Sequence, residues 1–176
     1  MTTALLIIDV QRALCVGEEA AFQVDAVLAR INELSARARA SGAPVVVIQH
    51  DDDGPLQFGT AGWELADGLV TSADDIRVRK QTTNSFHKTD LHAVLQARQV
   101  SRVVICGLQT DFCVDTTARQ ALPLGYRLVL AADAHSTIDG AITAPQIIAH
   151  HNHIFRNITS FGPVIEVTPS SGVRFE

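Results

Sequence analysis

Three side chains of complementary chemistry stand at the ends of three strand-like runs. Ala4-Leu5-Leu6-Ile7-Ile8 closes on Asp9, and Ile76-Arg77-Val78-Arg79 closes on Lys80. Val103-Val104-Ile105-Cys106 runs into Gly107 and a polar connector that delivers Cys113. A carboxylate can take a thiol's proton, and an ammonium can hold the sulfur as thiolate and keep the carboxylate oriented. A thiol served in this way attacks an acyl carbon. The chemistry is acyl transfer to sulfur followed by hydrolysis, with backbone N–H groups of the connector and helix start available to a developing oxyanion. From Phe112 onward the small residues Ala118 and Ala121, with Thr116 and Arg119-Gln120, suit a helix. Cys113 then falls in its first turn, where the positive end of the dipole favours thiolate. A plainer alternative stands beside each assignment: a free cysteine is commonly a small buried hydrophobe, and Asp9 and Lys80 can be solvated strand ends. Convergence of all three at one edge favours a site.

That convergence depends on the elements that carry the residues. Residues 22–41 place Val24, Val27, Leu28, Ile31, Leu34 and Ala38 at helical spacing, with Gly42 and Pro44 ending the helix. Pro44-Val45-Val46-Val47-Ile48 is a second buried strand that delivers Gln49 and His50. Residues 51–75 have no period, are rich in Asp and Gly and hold the only Trp, so they read as a long functional loop. The 76–80 run is a short strand at a sheet edge. Leu91, Val94 and Leu95 mark a helix capped by Thr89 or Asp90. Pro123 and Gly125 stop the helix that follows the connector near Leu122, and Arg127–Ala132 is a fifth strand, ending at Asp133 with His135 beyond. A helix near 141–152 and a strand at 164–167 follow. Repeated βα units with apolar strands predict an α/β fold: a three-layer α/β/α, doubly wound, mainly parallel six-stranded sheet in a single domain, 1–176. Right-handed crossovers bring every strand's carboxyl end to one edge, where ligands bind.

Composition narrows the classes of function. Fourteen Lys and Arg against nineteen Asp and Glu give a net charge of −5, no basic run occurs, and one Trp and one Tyr offer little stacking surface. No nucleic-acid partner is expected. Three cysteines without a CxxC pair make neither a disulfide framework nor a zinc site. No apolar run reaches membrane-spanning length and the start lacks a basic leader, so a cytoplasmic protein with no membrane partner is expected.

Over most of its length the chain resembles the isochorismatase-like cysteine hydrolases, the superfamily of nicotinamidases, N-carbamoylsarcosine amidases and ureidoacrylate-type amidases. The resemblance is carried by Leu6-Ile7-Ile8-Asp9-Val10-Gln11, Gly59-Thr60-Ala61-Gly62-Trp63-Glu64, Lys80-Gln81-Thr82-Thr83-Asn84-Ser85-Phe86 and, most specifically, Gly107-Leu108-Gln109-Thr110-Asp111-Phe112-Cys113-Val114. It implies a catalytic triad of Asp9, Lys80 and Cys113, the same residues that the strand ends single out. It also implies a non-proline cis peptide between Leu108 and Gln109, and an oxyanion hole from the backbone N–H groups of Gln109 and Cys113. Nicotinamidases carry Asp-x-His after the second strand and two further histidines that bind a divalent metal. Here the triplet is Ile48-Gln49-His50, with no other histidine before His87. No metal and no cofactor are therefore expected, and nicotinamide is disfavoured. Isochorismatases proper lack the cysteine, so Cys113 points away from vinyl-ether hydrolysis. What remains is a small-molecule substrate with an amide, ureido or imide-like C–N bond, cleaved through a thioester. The resemblance also implies a homodimer or homotetramer. A second class of function stays open: a non-enzymatic or redox-sensing protein on the same scaffold, with Cys113 as its reactive thiol.

Remaining features are weaker. Gln49, His50, Trp63 and Phe86 are expected to line the substrate pocket. Asp51-Asp52-Asp53-Gly54 opens like a calcium loop, but Pro55 and Gly62 break the ligand pattern, which leaves a solvated turn. His150 and His153 lie one helical turn apart and read as a helix surface or subunit contact, with metal binding as the alternative. His87 and His135 have no assigned role, and Cys15 and Cys106 read as structural.

Overall fold

The computed structural model describes residues 2–162 and 164–175. Six strands form one sheet: β1 (Thr2–Ile8), β2 (Val45–His50), β3 (Ile76–Lys80), β4 (Val100–Leu108), β5 (Arg127–Ser136) and β6 (Ile165–Thr168). Their order is β3-β2-β1-β4-β5-β6, and every strand pair in the sheet is parallel. The helices are α1 (Val24–Ala40), α2 (Leu91–Ala97), α3 (Asp115–Ala121) and α4 (Ala144–Asn157). On one face of the sheet, Val27, Ile31, Leu34 and Ala38 of α1 pack on Leu5, Ile7, Val45 and Val104. On the other, Leu91, Leu95, Ala118, Ala121 and Phe155 pack on Leu6, Ile8, Val103 and Ile105. Successive strand residues point to opposite faces, so continuous apolar runs feed both layers. This is the expected three-layer, doubly wound sheet.

Boundaries moved for identifiable reasons. The first helix starts at Val24 and not at 22, because Gln23 sits in the left-handed region at φ +50°. The last helix runs Ala144–Asn157 and not 141–152. Thr143 and Gln146 form a reciprocal capping box, Pro145 follows in the first turn, and Phe155 extends the buried stripe. The largest correction is β5. Expected to end at Ala132, it continues to Ser136 after a bulge: Ile105 pairs with Leu130, while Gly107 pairs with His135. The extra residues on β5 bend it, so Asp133 and His135 lie within the strand and not beyond its end. Asp133 faces Arg30 at 3.4 Å and accepts the Ser170 N–H, away from the thiol.

The chain leaves β1 and β4 in opposite directions, and the crevice between their carboxyl ends is the topological switch point of the sheet. Gly107 lets the two strands close there. Its φ is +114°, and a Cβ would collide with the backbone of Ile8 on β1. Gly107→Ala is therefore expected to lower stability by about 2–5 kcal/mol, combining backbone strain with overpacking. Gly140→Ala, where nothing lies within 4 Å, is expected to stay within about 0.5 kcal/mol. Urea midpoints of the two variants check this, and equal midpoints would remove Gly107 from the account.

Candidate active site

Three elements bring Asp9, Lys80 and Cys113 together. Asp9 leaves β1 in the left-handed region at φ +50°, a conformation that Asp tolerates better than most residues. Its N–H donates to the Ile48 carbonyl at 2.9 Å, and its own carbonyl accepts from Gln11 N–H at 2.9 Å. Lys80 closes β3, two strands away. With strands about 4.8 Å apart, roughly 10 Å separates the two strands, a gap that the four-carbon stem of Lys80 closes together with the Asp9 side chain and the hydrogen bond between them. Arg39 of α1 helps hold that edge strand, gripping Asp75 through Nε at 3.0 Å and Nη2 at 2.8 Å. Cys113 arrives from β4 through the connector. It lies in a π-helical turn, Thr110–Val114, ahead of α3, and not in the first turn of that helix as expected.

Lys80 Nζ is the hub. It donates to Asp9 Oδ2 at 2.7 Å, Thr82 carbonyl at 3.1 Å and Cys113 Sγ at 3.2 Å, and it lies 3.0 Å from His50 Nδ1. The Lys80 and Asp9 side chains are 0% and 1% exposed. An ion pair so deeply buried costs desolvation that its attraction barely repays, so stability alone gives little reason to keep it. Asp9 Oδ1 is buried and has no hydrogen-bond partner among the described residues. Cys113 retains 9% of its surface. Burial first, and then the Asp9 charge, push its thiol up to about 12, and the Lys80 ammonium offsets this only in part. Burial and Asp9 thus oppose the thiolate that the helix dipole and Lys80 favour. Burial and the neighbouring Lys80 ammonium lower the pKa of His50. The Lys80 ammonium can only donate, so Nδ1 at 3.0 Å accepts and the ring proton sits on Nε2.

The donor atoms of Asp9, His50 and Cys113 lie within 4.8 Å of one another, a spacing that would suit a divalent metal. The Lys80 ammonium contacts all three donors, however, and it is the cation around which they gather. The metal set of nicotinamidases does not fit either, because His50 turns its Nδ1 to Lys80 and Ile48 stands where that set has its acid.

The connector is pinned from behind. The Leu108–Gln109 peptide is cis, and the Gln109 carbonyl accepts from Phe112 N–H at 3.2 Å and Val114 N–H at 3.1 Å. Thr110 Oγ1 lies 2.9 Å from His135 Nδ1, and Thr137 Oγ1 donates to Asp111 Oδ1 at 2.6 Å.

The expected pocket residues divide. His50 joins the cluster through Lys80. Gln49 is buried and donates to the Trp63 carbonyl at 3.0 Å, so it anchors the long loop. Trp63 packs edge-on to Phe58 at 4.7 Å, and its Nε1 is buried without a partner among the described residues. Phe86 lies on the other side, stacked on Tyr126 at 5.9 Å and packed against the core cluster that contains Cys113. His87 lines a cavity of about 410 Å³ with Arg79, Lys80, Thr82 and Lys88. His150 and His153 are exposed on α4. Sequence reasoning missed Gln11, whose amide spans three segments: Nε2 donates to the His50 and Trp63 carbonyls, both at 2.9 Å, and Oε1 accepts from His50 N–H at 2.7 Å. Its place two residues past Asp9, closing the Leu6–Gln11 motif, was the available signal.

Comparisons with known proteins agree with this fold. Residues 3–168 match the isochorismatase domain model. The chain is 43% identical to a streptothricin hydrolase of Streptomyces noursei over 141 residues, which covers 77% of the chain and only 50% of that protein. The chain thus spans about half the length of that relative. A crystal structure of an isochorismatase family protein superposes with a TM-score of 0.87 at 35% identity, covering 94% of this chain and 96% of that one. N-carbamoylsarcosine amidase from Thermoplasma acidophilum superposes with a TM-score of 0.83 at 26% identity, over 99% of both chains. The chain belongs to the isochorismatase family.

Proposed function

We propose that the protein is a metal-independent cysteine hydrolase that cleaves a small amide, ureido or imide-like C–N bond through a thioester on Cys113. The observation that carries this reading is the buried Lys80 ammonium, bonded at once to Asp9 Oδ2 and Cys113 Sγ. Asp9 takes the thiol proton as sulfur attacks the carbonyl carbon. The negative charge moves to the carbonyl oxygen, which the N–H groups of Gln109 and Cys113 receive. Each such donor is worth about 10²–10³ in rate. Asp9 then returns the proton to the departing nitrogen, and water, deprotonated by Asp9, cleaves the thioester. Lys80 has three protons for four acceptors. A neutral thiol is the weakest acceptor of the four, so Lys80 binds the sulfur strongly only as the charge develops there.

The relatives named for hydrolysis of streptothricin and for N-carbamoylsarcosine amidase activity support an amide-like substrate. The redox alternative is disfavoured, because Cys106 and Cys15 pack with the core on the opposite face of the sheet from Cys113. Neither can resolve a sulfenic acid there without crossing the sheet. Ammonia release from a panel of primary amides and ureides tests the reading, and a protein that turns over none of them while forming a stable sulfenic acid would refute it. Because Lys80 holds the place of a metal, exhaustive chelation is expected to leave turnover unchanged. Loss on chelation, restored by zinc, would overturn the metal-independent mechanism.

A further inference from the structure

A second buried chain of hydrogen bonds reaches the connector from the side away from Lys80. Asn152 of α4 donates from Nδ2 to the Ala132 carbonyl at 2.9 Å, which fixes its amide with Oδ1 toward His135. His135 Nε2 lies 3.1 Å from that oxygen and must carry the proton. Its Nδ1 then has a free lone pair 2.9 Å from Thr110 Oγ1, so the hydroxyl donates to the ring. Burial is the main cause that pushes His135 down to about 4; the Asn152 hydrogen bond opposes this, His151 lowers it further and Asp133 opposes. His135, Asn152 and Thr110 are all buried, and Thr110 directly follows Gln109. The β5 bulge sets His135 opposite Gly107, level with the start of the connector.

We propose that His135 is a positioning residue: through the Asn152–His135–Thr110 chain it fixes the connector so that the Gln109 and Cys113 N–H groups aim at the oxyanion. This rests on the oxyanion role given to those groups above. Mere satisfaction of buried polar atoms would not require one particular nitrogen to serve Thr110, and two substitutions separate the possibilities. His135→Gln can keep a donor toward Asn152 but offers Thr110 no acceptor at the Nδ1 position. His135→Asn keeps an acceptor at that position but cannot reach Asn152.

The test uses two reagents on Cys113. p-Nitrophenyl acetate acetylates sulfur through a tetrahedral oxyanion, whereas iodoacetamide alkylates it by direct displacement without one. His135→Gln is expected to slow acetylation at least about tenfold and to change alkylation less than about twofold, since only the first reaction uses the oxyanion donors. His135→Asn is expected to recover acetylation while losing thermal stability. Acetylation in His135→Gln equal to wild type, or losses in both variants and both reactions that track stability alone, would overturn the proposal. Nitrogen-15 NMR of the wild-type ring adds a readout independent of turnover: the proton is expected on Nε2, and an Nδ1–H tautomer would overturn it. A wild-type protein that alkylates at Cys113 but is never acetylated would sink the hydrolase reading and this proposal together. Failure of His135 alone differs, because the wild type and His135→Gln are then acetylated alike.

Discussion

Cys113→Ala is expected to abolish amide turnover, lowering kcat/KM by on the order of 10⁴-fold or more, because removal of a nucleophile that works as a unit with its base leaves only binding and oxyanion stabilisation. At about 1.4 kcal/mol per factor of ten this is roughly 5.5 kcal/mol of transition-state stabilisation. The fold will survive, since Cys113 retains part of its surface and its sulfur is one of four acceptors around Lys80. Cys113→Ser gives the stricter comparison. It preserves size and the Lys80 contact but offers a hydroxyl that a carboxylate cannot readily deprotonate, so it too should be inactive. Steady-state rates and urea midpoints of both variants check the pair. An active serine variant would mean that the sulfur is not the attacking atom.

The second large effect separates stability from catalysis. Lys80→Met leaves the Asp9 carboxylate buried without its cation and is expected to cost about 3–5 kcal/mol of stability, as breaking one side of a buried pair generally does. Asp9→Asn leaves the ammonium short of its shortest partner, Asp9 Oδ2 at 2.7 Å, with a similar direction of effect. In the double variant both charges are gone, and stability should return most of the way to wild type. Activity should not return. Both single variants are expected to lose most single-turnover acylation, and the double variant little more, because the three groups act together. The Lys80 ammonium is what opposes the upward push of burial and Asp9 on the thiol, so Lys80→Met will raise the thiol pKa further and slow alkylation at neutral pH. Activity recovering in parallel with stability in the double variant would reduce the pair to a structural salt bridge.

The sequence carried more of this site than of its support. Asp9, Lys80 and Cys113 were legible because each follows a run whose apolar or alternating pattern marks a strand, and a parallel sheet sends all such ends to one edge. The long side chain of Lys80 could be assigned to the edge strand because Ile76–Lys80 alternates and is short. Helix ends were misjudged where backbone conformation decided them, as at Gln23 with its φ of +50°. The continuation of β5 was illegible for a different reason. Asp133 after an apolar run imitates a strand end, and only pairing with β4 reveals the bulge that restores the strand at His135. Gln49 was placed correctly at its strand end and expected to line the pocket, with no partner assigned. Its amide serves the Trp63 carbonyl, a contact across a loop that has no period to read. For Cys113, the dipole argument omits burial and the adjacent Asp9, both of which favour the protonated thiol.

The central claim is that the acyl group of the substrate passes through Cys113 sulfur. An amide from the panel that releases ammonia, mixed with enzyme, quenched in acid within one turnover and digested for peptide mass analysis, tests it most directly. The acyl mass is expected on the peptide containing Cys113, removed by neutral hydroxylamine as a thioester must be. A stoichiometric burst of ammonia with Cys113 unmodified, or the acyl group on any other residue, would contradict it.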